Sequence, residues 1–91
     1  MTECYRRMVT VCNPKGLHAR PSAAVAEIAK AHEATVLVDY NGETEEAESI
    51  LGLLTLGAAP GAELSIHALG PDARPAVDAI VSFLEAGADK R

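Results

Sequence analysis

Thr35-Val36-Leu37-Val38-Asp39-Tyr40-Asn41-Gly42-Glu43-Thr44-Glu45 decides the fold. Thr35–Tyr40 is rich in β-branched residues, ends in an aromatic one and reads as a strand. Asn41-Gly42 is the pair that closes a tight hairpin, because both residues tolerate positive φ. Glu43-Thr44-Glu45 then starts a short return strand, placed at a sheet edge.

Working outward toward the N-terminus, Tyr5–Cys12 carries Val9, Thr10 and Val11 and reads as a first strand. Asn13-Pro14-Lys15-Gly16 is turn chemistry. From Ala19 the period becomes helical: Pro21 suits a first turn, and Ala24, Val25, Ile28 and Ala29 recur at helix spacing. Lys30 and His32 lie near the end of that helix, where positive charge suits the dipole.

Working outward toward the C-terminus, Ser49 can cap a short helix, Ile50–Leu54, that stops around Gly57. Pro60-Gly61 turns the chain, and Glu63–Ala68 alternates polar and apolar as a strand with one buried face. Gly70-Pro71 breaks it, and Asp72 can cap a last helix. Val77, Ile80, Val81 and Leu84 fall at i, i+3, i+4 and i+7 there, and Gly87 ends it. No internal repeat interrupts the order β-α-β-β-α-β-α. Alternating strands imply a sheet covered on one face by the helices and open to water on the other, an α+β layer architecture.

The 91 residues suit a single domain over 1–91, and 48% hydrophobic content is enough for a core. Three aromatics and no Trp argue against base-stacking platforms and large aromatic pockets. A net charge of −5 does not attract nucleic acid. Cys4 and Cys12 match neither a disulfide framework nor a zinc or redox pair, so reduced thiols are expected. The start, Met1-Thr2-Glu3-Cys4-Tyr5-Arg6-Arg7, lacks the apolar run of a signal peptide. No segment approaches the ~20 apolar residues of a membrane span. A cytoplasmic protein is expected, a monomer with no cofactor and no membrane association.

The chemistry gathers at His18. A Gly-containing turn leads in and a helix leads away, so first-turn N–H groups and the positive dipole end converge there. Such a place binds phosphate. It also disfavours added positive charge, leaving an imidazole neutral and nucleophilic. Arg20 can offer a planar donor fork to phosphate oxygens, and Lys15 adds a nearby charge. A histidine at a helix start also serves as a simple cap or packing residue, and helix-start physics does not choose between these roles. One nucleophile without a second acid or base fits a phosphoryl carrier better than a self-sufficient enzyme. His32 and His67, on a helix end and the polar phase of a strand, do not combine with His18 at metal-ligand spacing.

Gly16-Leu17-His18-Ala19-Arg20-Pro21 resembles the active-site signature of HPr, the histidine-containing phosphocarrier of the bacterial phosphoenolpyruvate-dependent phosphotransferase system. Ser49-Ile50-Leu51-Gly52-Leu53-Leu54-Thr55-Leu56-Gly57 resembles that family's second signature. Tyr40-Asn41-Gly42 and Pro60-Gly61-Ala62-Glu63-Leu64 also match, so the likeness runs from about Tyr5 to about Leu84. It implies an open-faced β-sandwich, a four-stranded antiparallel sheet covered on one face by three helices. It implies that enzyme I phosphorylates His18 on Nδ1 and that the group passes to a IIA-type domain, in sugar uptake. Arg20 would assist transfer, while Ala19 and Pro21 shape the first turn.

Ser49 matches the position that a serine kinase phosphorylates in the HPr of many Gram-positive bacteria. Helix capping is enough to explain a serine there, and the carboxylates of Glu43, Glu45, Glu46 and Glu48 would repel an added phosphate. That run reads most simply as a solvated edge. Lys15 and Gly52-Leu53-Leu54 are compatible with the nitrogen-related NPr branch, whose relay is regulatory. In that alternative, target binding depends on the phosphorylation state of His18. Some of Ile50, Leu51 and Leu54 must pack inward, but a short helix cannot hide them all, and the remainder would make a docking surface for partner proteins.

Overall fold

The computed structural model describes residues 4–87. The elements are β1 (Cys4–Thr10), α1 (Ala19–Lys30), β2 (Thr35–Tyr40), β3 (Glu43–Glu46), α2 (Ile50–Leu56), β4 (Glu63–Leu69) and α3 (Ala73–Ala86). The four strands form one sheet in the order β1-β4-β2-β3, and every pairing is antiparallel. Three helices cover one face, as the resemblance implies. Asn41 (φ 54°) and Gly42 (φ 84°) make the β2–β3 turn in the left-handed region, which the Asn-Gly pair anticipates.

Strand alternation puts Val36, Val38, Leu64, Ile66, Ala68 and Val9 on the covered face, all buried. Val77, Ile80, Val81 and Leu84 meet them from α3. Val25 and Ala29 of α1 and Leu53 and Leu56 of α2 complete the same core. Each fully buried Leu, Ile or Val stabilises by about 1.5–3 kcal/mol. On the open face Asp39 is the hub: Arg6 lies 3.3 Å from its Oδ2, His67 Nδ1 lies 3.2 Å from the same oxygen, and Thr44 donates to Oδ1 at 2.6 Å.

Three expectations change. β1 ends at Thr10, before Val11 and Cys12, because Thr10 pairs with Glu63, the first residue of β4. Val11 still bonds across the gap, donating to Ala62 O at 2.8 Å and accepting from Gly61 N at 2.9 Å. α2 runs to Leu56, with Gly57 in the left-handed conformation as its C-cap. Asp72 occupies the cap position of α3, but its side chain makes no capping bond. Its Oδ2 instead accepts from Glu33 N at 2.7 Å, while Asp72 N donates to Glu33 O at 3.0 Å. The carboxylate ties the start of α3 to the α1–β2 connection, a partner 39 residues away in sequence.

A second cluster fastens α3 to β1. Tyr5 donates to Asp78 Oδ1 at 3.0 Å, Arg7 donates to the same oxygen at 3.1 Å, and Arg74 lies 4.5 Å over the Tyr5 ring. Burial pushes the Asp78 carboxyl up, but the hydrogen bonds from Arg7 and Tyr5 outweigh it and hold the group below its usual range. A carboxyl lowered in the folded state adds stability that is complete above its unfolded value, about pH 4. That stability is lost as pH falls through the lowered folded value. Asp78→Asn should lower the thermal midpoint slightly at pH 7 and match the wild type at about pH 2. Thermal unfolding of both proteins at the two pH values checks this.

Candidate phosphoryl-transfer site

The site is built at the junction of the Asn13–Leu17 turn with α1. Gly16 donates to Asn13 O at 3.0 Å, which closes the turn. Gly16 itself is at φ +74°, and a Cβ there would stand 2.5 Å from Ala58 O. Only glycine allows both the dihedral and this approach. Leu17 then donates to that same carbonyl at 2.9 Å and buries its side chain. The turn is thus held against the residues that follow α2.

His18 is the N-cap residue of α1, in extended conformation (φ −85°, ψ −165°), and its side chain makes no capping bond to the helix. The ring is half-buried, between the covered Leu17 and the exposed Ala19 and Arg20. First-turn N–H groups take no partner from their own helix. Pro21 carries none, and that of Ser22 is bonded to His18 O at 3.0 Å. The two first-turn residues before Pro21 are Ala19 and Arg20, which directly follow His18. From behind, the buried Ser22 hydroxyl donates to Leu17 O at 3.2 Å, fixing the carbonyl just before His18. An imidazole at the N-terminus of a helix, where first-turn N–H groups and the positive dipole end converge, is chemically suited to accept an anionic phosphoryl group.

The other expected residues fall in different places. Lys15 is exposed on the turn. Ser49 caps α2, its Oγ accepting from Gly52 N at 2.9 Å. The α2 helix starts beside Ser49 and ends at the segment that pins Leu17, so Ser49 stands roughly 10 Å of helix away from the His18 end. Glu45 reaches the same first turn: a Cβ on Gly52 would lie 2.6 Å from Glu45 Oε1. The carboxylates expected to repel a phosphate at Ser49 thus include one in contact with that turn.

Ile50, Leu51 and Leu54 are all exposed, at 40, 75 and 39%. The expectation that some of them pack inward is wrong. Leu53 and Leu56, three apart, take the inward positions and leave the other three facing solvent. His32 bonds Ile28 O through Nδ1 at 2.8 Å, and His67 belongs to the open face. Among the described residues no group of three or more His, Cys, Asp or Glu is arranged to hold a metal ion. Cys4 and Cys12 are exposed free thiols. Sequence reading overlooked Asn13 and Ser22 as buried polar residues flanking His18. Ser22, four residues after His18 at helix spacing, carried a usable signal, whereas the burial of Asn13 depends on distant segments.

The family model for the HPr component of the phosphotransferase system, described as its phosphorylation site, matches residues 5–86. The phosphocarrier protein HPr of Vibrio cholerae is 37% identical over 81 residues, covering 89% of this chain and 95% of the relative. The phosphocarrier protein NPr of Proteus mirabilis is 34% identical over 87 residues, covering 94% and 96%. The crystal structure of an HPr from Thermoanaerobacter tengcongensis superposes with a TM-score of 0.90 at 28% identity, covering 96% of this chain and 98% of that one. The chain belongs to the HPr family of phosphocarrier proteins of the phosphotransferase system.

Proposed function

We propose that His18 accepts a phosphoryl group on Nδ1 from phosphorylated enzyme I and passes it to a IIA-type domain. The observation that carries this is the placement of His18 at the N-cap of α1, where the positive end of the helix dipole lies. The Nδ1 lone pair forms the new N–P bond as the bond to the donor breaks. On the second transfer the acceptor attacks phosphorus and the imidazole leaves as it arrived. The domain is the phosphorylated intermediate and the partner proteins supply the rest of the machinery. The groups this protein itself contributes all lie on one chain, so a monomer suffices, and a cytoplasmic location fits the partners named.

Arg20 is assigned to the phosphoryl oxygens, with Lys15 giving a weaker, more distant charge. Arg20→Lys replaces a planar fork with a point charge. Transfer should slow about tenfold while stability stays within about 0.5 kcal/mol, since Arg20 is an exposed helix-start residue. Stopped-quench transfer kinetics and thermal unfolding of the two proteins measure the two effects; equal transfer rates would remove Arg20 from the role.

Ile50, Leu51 and Leu54 are assigned to partner docking. Leu51→Ser removes the most exposed of them and should raise the KM for transfer from enzyme I several-fold without lowering the thermal midpoint. Titration of enzyme I with the variant reads this directly. Ser49 is assigned to capping α2; phosphorylation by a serine kinase would have to place a phosphate beside Glu45.

A second reading follows from the NPr relatives: the same carrier chemistry serves a nitrogen-type regulatory relay, and targets bind according to the state of His18. Capture from the source cell's extract on phosphorylated and unphosphorylated protein separates the readings. A sugar-type IIA domain supports the first, and state-dependent capture of non-IIA targets supports the second.

A further inference from the structure

Asn13 and Ser22 are the buried polar residues of the described chain, at 0% exposure, and they bracket His18. Ser22 is engaged, its hydroxyl on Leu17 O. Asn13 is not: neither Nδ2 nor Oδ1 has a hydrogen-bond partner, although both atoms are buried. A carboxamide offers two donors and an acceptor, and buried side-chain polar atoms are bonded in the large majority of cases.

The turn does not explain this side chain. Asparagine favours turns because its Oδ1 can accept from the backbone two residues on. Asn13 Oδ1 makes no such bond. What closes the turn is the main-chain carbonyl of Asn13, accepting from Gly16, and any residue supplies that. Nor does packing explain it, because leucine has nearly the same shape and would strand no polar atoms. Exceptions of this kind collect at functional positions, where a group is kept at a cost to the resting fold.

The surroundings show what the amide can serve. Val11, Gly16 and Leu17 are stitched or pressed against Ala58, Gly61 and Ala62. Cys12 N donates to Leu84 O at 3.3 Å. The turn that delivers His18 is held by main-chain bonds to two other segments, and Asn13 is buried between these anchoring points. Placing a phosphoryl group at the mouth of α1 changes the demands on the neighbouring main-chain groups, and an adjacent uncommitted amide can take up partners they release.

We infer that Asn13 is a positioning residue for phosphoryl transfer, its buried carboxamide uncommitted in the resting protein and hydrogen-bonded in the phosphohistidine form. This rests on the phosphocarrier reading. Asn13 acts through the turn and does not touch the phosphoryl group.

The sequence makes the test simple: it contains two asparagines, Asn13 and Asn41, and no glutamine. A ¹⁵N-labelled sample therefore shows two side-chain amide pairs, and Asn41, in the distant β2–β3 turn, is an internal control. The full chain is phosphorylated with phosphoenolpyruvate and enzyme I. The Asn13 pair should shift several-fold more than the Asn41 pair. Asn13→Leu should leave the thermal midpoint unchanged or raised. It should also shorten the phosphohistidine lifetime about tenfold, the most that one ordinary hydrogen bond supplies. A stationary Asn13 pair, or an unchanged lifetime in a folded Asn13→Leu protein, overturns the inference. If the variant does not fold, the wild-type shift decides alone. A wild-type protein that takes no phosphate removes the phosphocarrier reading and the Asn13 role together; a phosphorylated protein with an unmoved Asn13 removes the second only.

Discussion

His18→Ala is expected to abolish formation of acid-labile phosphate on this protein and to leave it folded. The variant removes the nucleophile, and no other group on the chain replaces it in the reading. His32 is committed to Ile28 O and His67 to the neighbourhood of Asp39 on the open face. Neither adjoins an N-terminus of α1 with its N–H donors. Stability should change by about 1 kcal/mol at most, because the half-buried ring makes no capping bond to α1 and leaves the core untouched. Circular dichroism melts beside radiolabelled phosphotransfer assays distinguish the two outcomes. Full labelling of His18→Ala would assign the phosphate elsewhere.

Gly16→Val is expected to be the most damaging single change near the site. The backbone sits at φ +74°, where a β-branched residue is strained, and the first added atom meets Ala58 O at 2.5 Å. The left-handed conformation costs about 1–2 kcal/mol and overpacking against backbone about 1–3 more. Together these are about 3 kcal/mol, or roughly 15 °C of midpoint for a domain this size. Because Leu17 bonds the same carbonyl, relieving the clash moves His18, so transfer should fall as well. Gly42→Val is the control. Its φ is +84°, but a Cβ there meets nothing within 4 Å, so it should show the dihedral cost alone and keep full transfer activity. Equal midpoints for the two variants would deny the close approach its importance.

What could be read from the sequence was local. The Asn41-Gly42 hairpin, the 3.6-residue stripe of α3 and the alternation of β4 each depend on neighbours within a few residues, and each appears as expected. The position of His18 at a helix start was legible for the same reason: turn chemistry, a proline and a helical period surround it within a dozen residues. Elements whose ends depend on distant partners were not. β1 stops where β4 begins, and Asp72 leaves its cap for Glu33, a residue brought near only by the fold. In α2 nearly every side chain is apolar, so periodicity could not say that Leu53 and Leu56 turn inward while Leu51 faces solvent. At the site, Arg20 and Lys15 could be named from chemistry, whereas the burial of Asn13 requires the whole core to be in place.

In the proposed reading the domain is a scaffold for one half-buried nucleophile: a glycine-tight turn delivers His18 to the start of α1, and the exposed apolar residues of α2 are the proposed docking face. The most direct test is intact-mass analysis followed by neutral-pH peptide mapping of the wild-type protein after incubation with enzyme I and phosphoenolpyruvate. The expected result is one added phosphoryl group, labile in acid and stable in base, on the peptide containing His18. No added phosphate, or phosphate confined to another residue such as Ser49, would contradict it.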